Sequence, residues 1–183
     1  VLVDQSSLES HPLGRTEWIR LYGALLNEEE KADALFQEQV DYLQSVLDSE
    51  DTGKTAAFFY ISSSGSVVAR KSGDYVSKMI ELAGGHYVFD DLGDPETATS
   101  TATIEMEAFF TAAKDADYIF YNSTIGGELK TLDDLLAKSE LLGEFKAVQN
   151  GNVWCTAQNM YQETTRLGQM DQSFHKIFSG EAD

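Results

Sequence analysis

The sequence predicts an α/β fold: a three-layer αβα lobe around a mainly parallel sheet, preceded by a long helix that reaches from one lobe to another. Three observations carry this. From Thr55 onward, short aliphatic and aromatic runs alternate with amphipathic helical stretches. Thr55–Ile61 is almost continuously apolar, as expected of a parallel strand buried on both faces. Upstream of it, two helical runs add up to about 35 residues, on the order of 50 Å at 1.5 Å per residue, which is too long for one face of a small domain.

Val1–Asp4 reads as a short buried strand entered in mid-fold. His11-Pro12-Leu13 starts a helix, since proline is tolerated in the first turn, and Leu13, Ile19, Tyr22, Leu25 and Leu26 give it an apolar stripe up to a break near Asn27. Glu28 to about Leu47 continues with Ala32, Leu35, Phe36, Val40, Leu43 and Leu47 at helical spacing. Three segments follow: 1–9, the edge of something upstream; 10–49, the connecting helix; 50–183, the α/β lobe.

Within that lobe, Ser62-Ser63-Ser64-Gly65 is a turn after the first strand, and Val67–Ala69 a short second strand. A helix from Ser72 or Gly73 ends at Gly84-Gly85, a pattern suited to a C-cap. Tyr87–Phe89 is the next strand and Asp90–Ser100 an acidic loop. Thr103 is the expected N-cap of a helix with Glu105 and Glu107 near its positive end, closing near Lys114. Tyr118–Tyr121 is a strand and Asn122–Gly127 a loop. Thr131 and Asp134 form a capping box before Leu132–Ala137. Asn150-Gly151 turns into the strand Asn152–Cys155, and Leu167, Met170, Phe174, Ile177 and Phe178 mark a final helix.

Composition narrows the function. Hydrophobic residues are 42% of the 183, enough for a sizeable core, and 31 acids against 13 bases leave a formal charge of −18. Such a surface repels phosphate backbones and argues against nucleic-acid partners. No apolar run reaches the roughly 18–20 residues that span a bilayer. One cysteine, Cys155, excludes an intrachain disulfide and reads as an inert buried thiol in a strand. His11, His86 and His175 lack paired-ligand spacing, so no metal site is expected. Nucleophile elbows and phosphate loops are missing too, so no catalytic residues are assigned and an enzyme is not expected.

Charge distribution is more informative. Three stretches contain no acid: from Thr52 to Gly73, from Tyr118 to Gly127, and from Phe145 to Gln162. These are strands together with the loops that leave them, and open parallel sheets bind ligands beyond the carboxyl ends of their strands. Arg70-Lys71, the one adjacent basic pair, lies in the first of them. An anionic or neutral polar ligand would suit such a cleft. Burial of the strands accounts equally well for the missing acids, though less well for the loop serines and Arg70.

Several segments, read together over residues 10 to 180, resemble the class III substrate-binding proteins of ABC importers. They are His11-Pro12-Leu13-Gly14-Arg15 with Glu17-Trp18-Ile19, Gly73-Asp74-Tyr75-Val76 through Gly84-Gly85, Ala113–Ile119, and Phe145–Trp154. The resemblance implies a C-terminal lobe with its linking helix, residues 1–9 being the last strand of an N-terminal lobe that is otherwise missing. It implies an extracytoplasmic receptor, periplasmic or lipid-anchored, with signal and anchor upstream. Such a receptor is a monomer without a resident cofactor that hands a ferric siderophore, haem or cobalamin to permease subunits.

By the same resemblance, ligand would be met by Ser63, Ser64 and Arg70, by Asn122, Ser123 and Thr124, and by Met160 and Tyr161. Glu105 or Glu107 would dock on the permease. Trp154 and Tyr161 would stack on a flat ligand or else fill the core. Arg15, Glu17 and Trp18 would brace the linking helix. The competing classes are a ligand-sensing domain that reuses this fold without transport, and an α/β enzyme with an unrecognised site.

Overall fold

The computed structural model describes residues 1–182 apart from Asp48, Pro95, Ala98 and Thr99. The first helix, α1 (Pro12–Leu26), has proline at its start, and His11 Nδ1 accepts the Leu13 N–H at 3.2 Å, satisfying one of the amides that a helix start leaves unpaired. It stops at Asn27, whose φ of 57° is left-handed, a conformation asparagine tolerates better than most residues.

The second helix, α2 (Glu29–Leu47), folds back on the first. Arg20 Nη2 pairs with Asp33 at 2.6 Å, and its guanidinium lies 4.2 Å from the Phe36 ring centroid. At the crossing, a Cβ on Gly23 would stand 2.4 Å from that of Ala32, so only glycine lets the helices come this close. The expected rod of about 50 Å is thereby corrected. The chain breaks where expected, but the halves pack against each other instead of running on. Val1–Asp4 is corrected as well: no strand forms there, Val1, Leu2 and Val3 are exposed, and among the described residues no ladder pairs their amides.

The lobe then runs β1 (Lys54–Ile61), β2 (Val67–Arg70), α3 (Tyr75–Leu82), β3 (Gly85–Tyr87), β4 (Thr101–Ile104), α4 (Met106–Ala113), β5 (Tyr118–Tyr121), α5 (Ser123–Gly126), α6 (Leu132–Leu136), α7 (Lys146–Gln149), β6 (Val153–Cys155) and α8 (Leu167–Ser179). Among the described residues, six strands form one sheet in the order β4-β2-β1-β5-β6, with β3 beside the first half of β1. β3, β1, β5 and β6 are parallel; β2 and β4 run antiparallel beside them.

That flank departs from the expectation. Thr103 caps no helix but sits in β4 opposite Val68, and Glu105 takes the N-cap of α4 without a side-chain bond. β2 demands such a partner: its residues are all buried, so the amides on its outer edge must be paired. The loop read as Asp90–Ser100 contains Pro95, Ala98 and Thr99, which lie outside the described residues. Two smaller expectations shift: the strand read at Tyr87–Phe89 forms at Gly85–Tyr87, and the loop Asn122–Gly127 holds the short helix α5. Other elements form near where they were expected, the Thr131–Asp134 capping box among them.

Alternate residues of the sheet feed two apolar layers. On one side Phe59 meets Phe109 of α4 at 4.4 Å between ring centroids, and Phe109 stacks on Phe145 at 5.4 Å. On the other, Phe120 meets Phe174 of α8 at 4.8 Å and Tyr118 meets Phe178 at 5.5 Å. Fully burying each such ring is worth about 1.5–3 kcal/mol. The three-layer arrangement follows directly.

Helix α8 also selects the buried face of α2. A Cβ on Gly168 would lie 2.1 Å from the Gln39 carbonyl oxygen, and Gln39 Oε1 accepts the Gln169 N–H at 3.2 Å. With Ala32 under Gly23 of α1, this backbone approach goes with a buried face of Gln39, Leu43 and Val46, leaving the expected Leu35 and Leu47 exposed. On α1 likewise, Pro12, Thr16 and Gly23 are buried while Tyr22, Leu25 and Leu26 face out.

Asp171, on the core stripe of α8, is fully buried, and neither carboxyl oxygen finds a partner among the described residues. Burial alone raises its pKa well above the ordinary carboxylate value, so the folded protein holds this proton more tightly than the unfolded chain. Stability from this group therefore declines as pH rises above the unfolded carboxyl pKa, about 3.9. Asp171→Asn should remove that slope. In thermal melts its advantage over wild type should be smallest near pH 4 and widen towards pH 8.

Candidate functional site

β1 and β5 both end at one edge of the sheet, and a cavity of about 600 Å³ opens there. Tyr60, Arg70, Asp74 and Tyr75 line it from the ends of β1 and β2 and the start of α3. Ser100 and Thr101 add the entry to β4; Ile125, Tyr161 and Thr164 come from α5 and from the turns before α8. Arg15 and the turn Ser6–Leu8 form the remaining wall.

The walls are fixed by one buried carboxylate. Asp74 is 1% exposed; its Oδ1 accepts the Val76 N–H at 3.1 Å and caps α3, and its Oδ2 accepts the Ser100 N–H at 3.0 Å. Oδ2 also faces Arg70 Nη1 at 3.4 Å, an ion pair with both partners withdrawn from solvent. Arg70 in turn donates through Nη2 to the Tyr161 hydroxyl, and Asn122 Nδ2 donates to that same oxygen at 2.7 Å. Tyr161 is thus held by two donors from two different strand ends.

Aromatic faces complete the wall. The Arg70 guanidinium carbon lies 5.1 Å from the Tyr161 ring centroid and 5.8 Å from that of Tyr75, while Arg15 stacks on Tyr75 at 3.9 Å. Burial pushes the Tyr75 phenol up to about 12, so it stays neutral and acts as a face for cations. Arg15 donates through Nε to the Glu9 carbonyl at 2.8 Å and through Nη2 to the Ser7 carbonyl at 2.7 Å. Desolvation lowers its pKa, the usual mark of a cation taken partly out of water.

The expected site residues divide sharply. Arg70 and Tyr161 line the cavity together. Asn122 stands behind Tyr161, nearly fully buried, and its Oδ1 accepts the Thr124 N–H at 3.1 Å. Thr124 turns its hydroxyl to the Ala157 carbonyl at 3.4 Å. Ser123 is buried with its Oγ unpartnered among the described residues, while its N–H donates to Thr156 Oγ1 at 3.0 Å. Met160 faces the opposite way into the core at 1% exposure, because the short turn that presents Tyr161 to the cavity turns its neighbour inward.

Ser63 and Ser64 occupy the exposed tip of the β1–β2 hairpin, where Ser62 Oγ and Ser64 Oγ lie 2.8 Å apart; neither lines the cavity. Antiparallel pairing sends β2 back along β1, so Arg70 sits well behind that tip. Glu105 and Glu107 are exposed at the start of α4. Trp154 is half-buried against the core. Cys155 is exposed at the end of β6, not buried as expected, although desolvation still raises its thiol pKa. No group of three metal-ligating side chains occurs among the described residues.

Sequence reading missed Asp74, Tyr75 and Arg15 as cavity residues. Asp74 had a signal, an acid just before a helical run. Arg15 was expected only to brace the linking helix, since its place in the cavity wall depends on how α1 packs against the lobe. Asp74→Ala should cost about 3–5 kcal/mol in urea unfolding, the usual penalty for stranding one member of a buried ion pair. Asp74→Asn, which can still accept the Val76 N–H, should cost less.

The molecule is an α/β lobe with a cleft at its strand ends. The sequence profile of the periplasmic binding protein family matches residues 2–159, and the chain belongs to that family, one of binding proteins and not of enzymes. An uncharacterized lipoprotein of Methanocaldococcus jannaschii is 32% identical over 88% of this chain and 37% of its own length. A second from the same organism is 29% identical over 81% and 38%.

Among solved structures, the ABC-type Fe3+-hydroxamate transport system protein from Saccharomonospora viridis aligns with a TM-score of 0.74 at 18% identity, covering 92% of this chain and 56% of that one. The periplasmic heme-binding protein RhuT from Roseiflexus sp. RS-1, in apo form, also gives 0.74, at 16% identity over 95% and 65%. The chain spans 37–49% of the length of the curated relatives it matches. Among the described residues no helix is long and apolar enough to cross a membrane.

Proposed function

We propose that this protein is the extracytoplasmic receptor of an ABC importer, which captures a metal chelate and presents it to a permease. The observation that carries the reading is the cavity at the strand ends, where Arg70 and Tyr161 are held rigidly by Asp74 and Asn122. Structural neighbours named for Fe3+-hydroxamate transport and for haem binding support a chelate as ligand, and the lipoprotein names of two relatives support a cell-surface location. A ferric siderophore or haem leads, with cobalamin as a third candidate. The protein acts as a monomer without a resident cofactor.

In this reading residues 50–183 are the C-terminal lobe, 10–49 the connecting helical segment and 1–9 the exit from an N-terminal lobe. The exposed apolar side chains of Leu2, Val3, Leu8, Leu25 and Leu26 suit coverage by such a lobe. Arg70 and Tyr161 touch ligand. Asn122, Ser123 and Thr124 form the loop behind them, with Met160 as the core anchor of the Tyr161 turn. Ser63 and Ser64 reach only a ligand that extends to the rim. Pre-positioned side chains mean that little ordering cost opposes binding.

The reading is tested by tryptophan-fluorescence titration of the full-length protein with ferric siderophores, haem and cobalamin. One chelate should quench saturably, and Arg70→Ala should weaken it by about 10- to 100-fold, the worth of a charge-assisted hydrogen bond. Silence across the panel would sink the chelate reading. Glu105→Arg and Glu107→Arg should leave chelate affinity unchanged while at least one of them abolishes stimulation of the cognate transporter's ATPase. Chelate binding with no permease response would favour the ligand-sensing alternative.

A further inference from the structure

Four arginines occur in the chain, in a protein with 31 acidic residues. Arg20 pairs with Glu17 and Asp33, Arg70 with Asp74, and Arg166 with Glu163. Arg15 differs: among the described residues it makes no ion pair, although it is half-buried in the wall of the cavity. Its Nε and Nη2 are used on backbone carbonyls of Glu9 and Ser7, which leaves Nη1 without a protein acceptor among the described residues.

An unpaired guanidinium is costly to take out of water; Asp74 and Glu9 favour its charge from a distance, but among the described residues no carboxylate comes within ion-pair distance of it. Arg70 stands on the same Tyr75 ring, with its charge already matched by Asp74. With two guanidinium groups and one carboxylate, the cavity carries one positive charge in excess. An arginine left with a free amino edge in a preformed cavity is suited to a planar, oxygen-rich anion, which it binds through parallel N–H bonds.

We propose that Arg15 is a ligand-binding residue, forming with Arg70 a two-guanidinium seat for a chelate that carries carboxylate groups. The inference rests on the chelate-receptor reading and narrows it: the ligand is a carboxylate-bearing ferric chelate or haem, not a neutral hydroxamate and not cobalamin. One carboxylate meets the free edge of Arg15. A second lies against Arg70 and the Tyr161 hydroxyl, whose positions the protein already holds. The bracing of the Ser7 and Glu9 carbonyls remains, because it uses the Nε–Nη2 edge of the guanidinium and leaves the Nη1–Nη2 edge to the ligand.

The test compares haem with its dimethyl ester, and ferric citrate with a ferric trihydroxamate and cobalamin, on the full-length protein and its Arg15→Gln and Arg15→Lys variants. Haem or ferric citrate should bind wild type at least tenfold more tightly than its carboxylate-free counterpart. Arg15→Gln should erase most of that preference and Arg15→Lys retain much of it. A role in bracing backbone alone would affect acid and ester equally. Preference for the ester, the trihydroxamate or cobalamin would overturn the inference while leaving the receptor reading intact, as would Arg15→Gln binding the acid like wild type. Failure of every chelate to bind would remove both. Should Arg15→Gln not fold, the wild-type ratio of acid to ester decides alone: a ratio near one overturns the proposal.

Discussion

The carboxylate of Asp74 is the constraint on which the cleft depends. It caps α3, anchors the residue just before β4 and supplies the counter-charge of Arg70. Each of these contacts joins a different piece of chain, so the helix, the antiparallel flank and the basic side chain of the site share one buried group. Two backbone amides at hydrogen-bond distance offset much of the desolvation that a bare ion pair would suffer. The outcome is a guanidinium fixed in orientation before anything binds.

The parallel core was legible because burial on both faces leaves a short, continuous apolar run between turn residues. Ala56, Ala57, Phe58 and Phe59 are inaccessible and apolar, and the aromatic content and brevity of the run favour a strand over a buried helix. The Thr131 capping box was equally readable, being a local hydrogen-bond pattern. β4 was not. Thr101-Ala102-Thr103-Ile104 is a half-exposed edge strand whose existence depends on β2 having an open side, a fact that no local window contains. The helical hairpin failed for a related reason: Gly23 and Gly168 pull helices together through what they lack, so the larger residues beside them misdirected the expected stripes.

Of the residues expected at the site, charge marked one that lines the cavity, and the loop positions marked several that do not. Arg70 stood out as a base in an acid-free stretch, and the structure puts it in the cavity wall. Tyr161 was found through its loop, but so was Met160, because a tight turn sends adjacent side chains in opposite directions. The serines of the hairpin tip looked equivalent to the other loops only while the second strand's return direction was unknown. The chain belongs to the periplasmic binding protein family, and the cavity at the strand ends is lined by Arg70 and Tyr161 together with residues that no local pattern marked.

The way β1 is paired has a consequence in time. Its partner β2 follows after a short turn, but β5 is far along the chain: Thr55 and Asp117, which clamp the start of the β1–β5 pair, are 62 residues apart. The hairpin can therefore assemble early, whereas closure of the parallel sheet must wait for a distant segment and cover its loop entropy first. During that wait the Phe58 and Phe59 faces lie open, a state prone to self-association. A formal charge of −18 keeps such half-built chains apart by mutual repulsion, so the acidity that looks like a surface property of the finished molecule also guards its slowest moment of assembly.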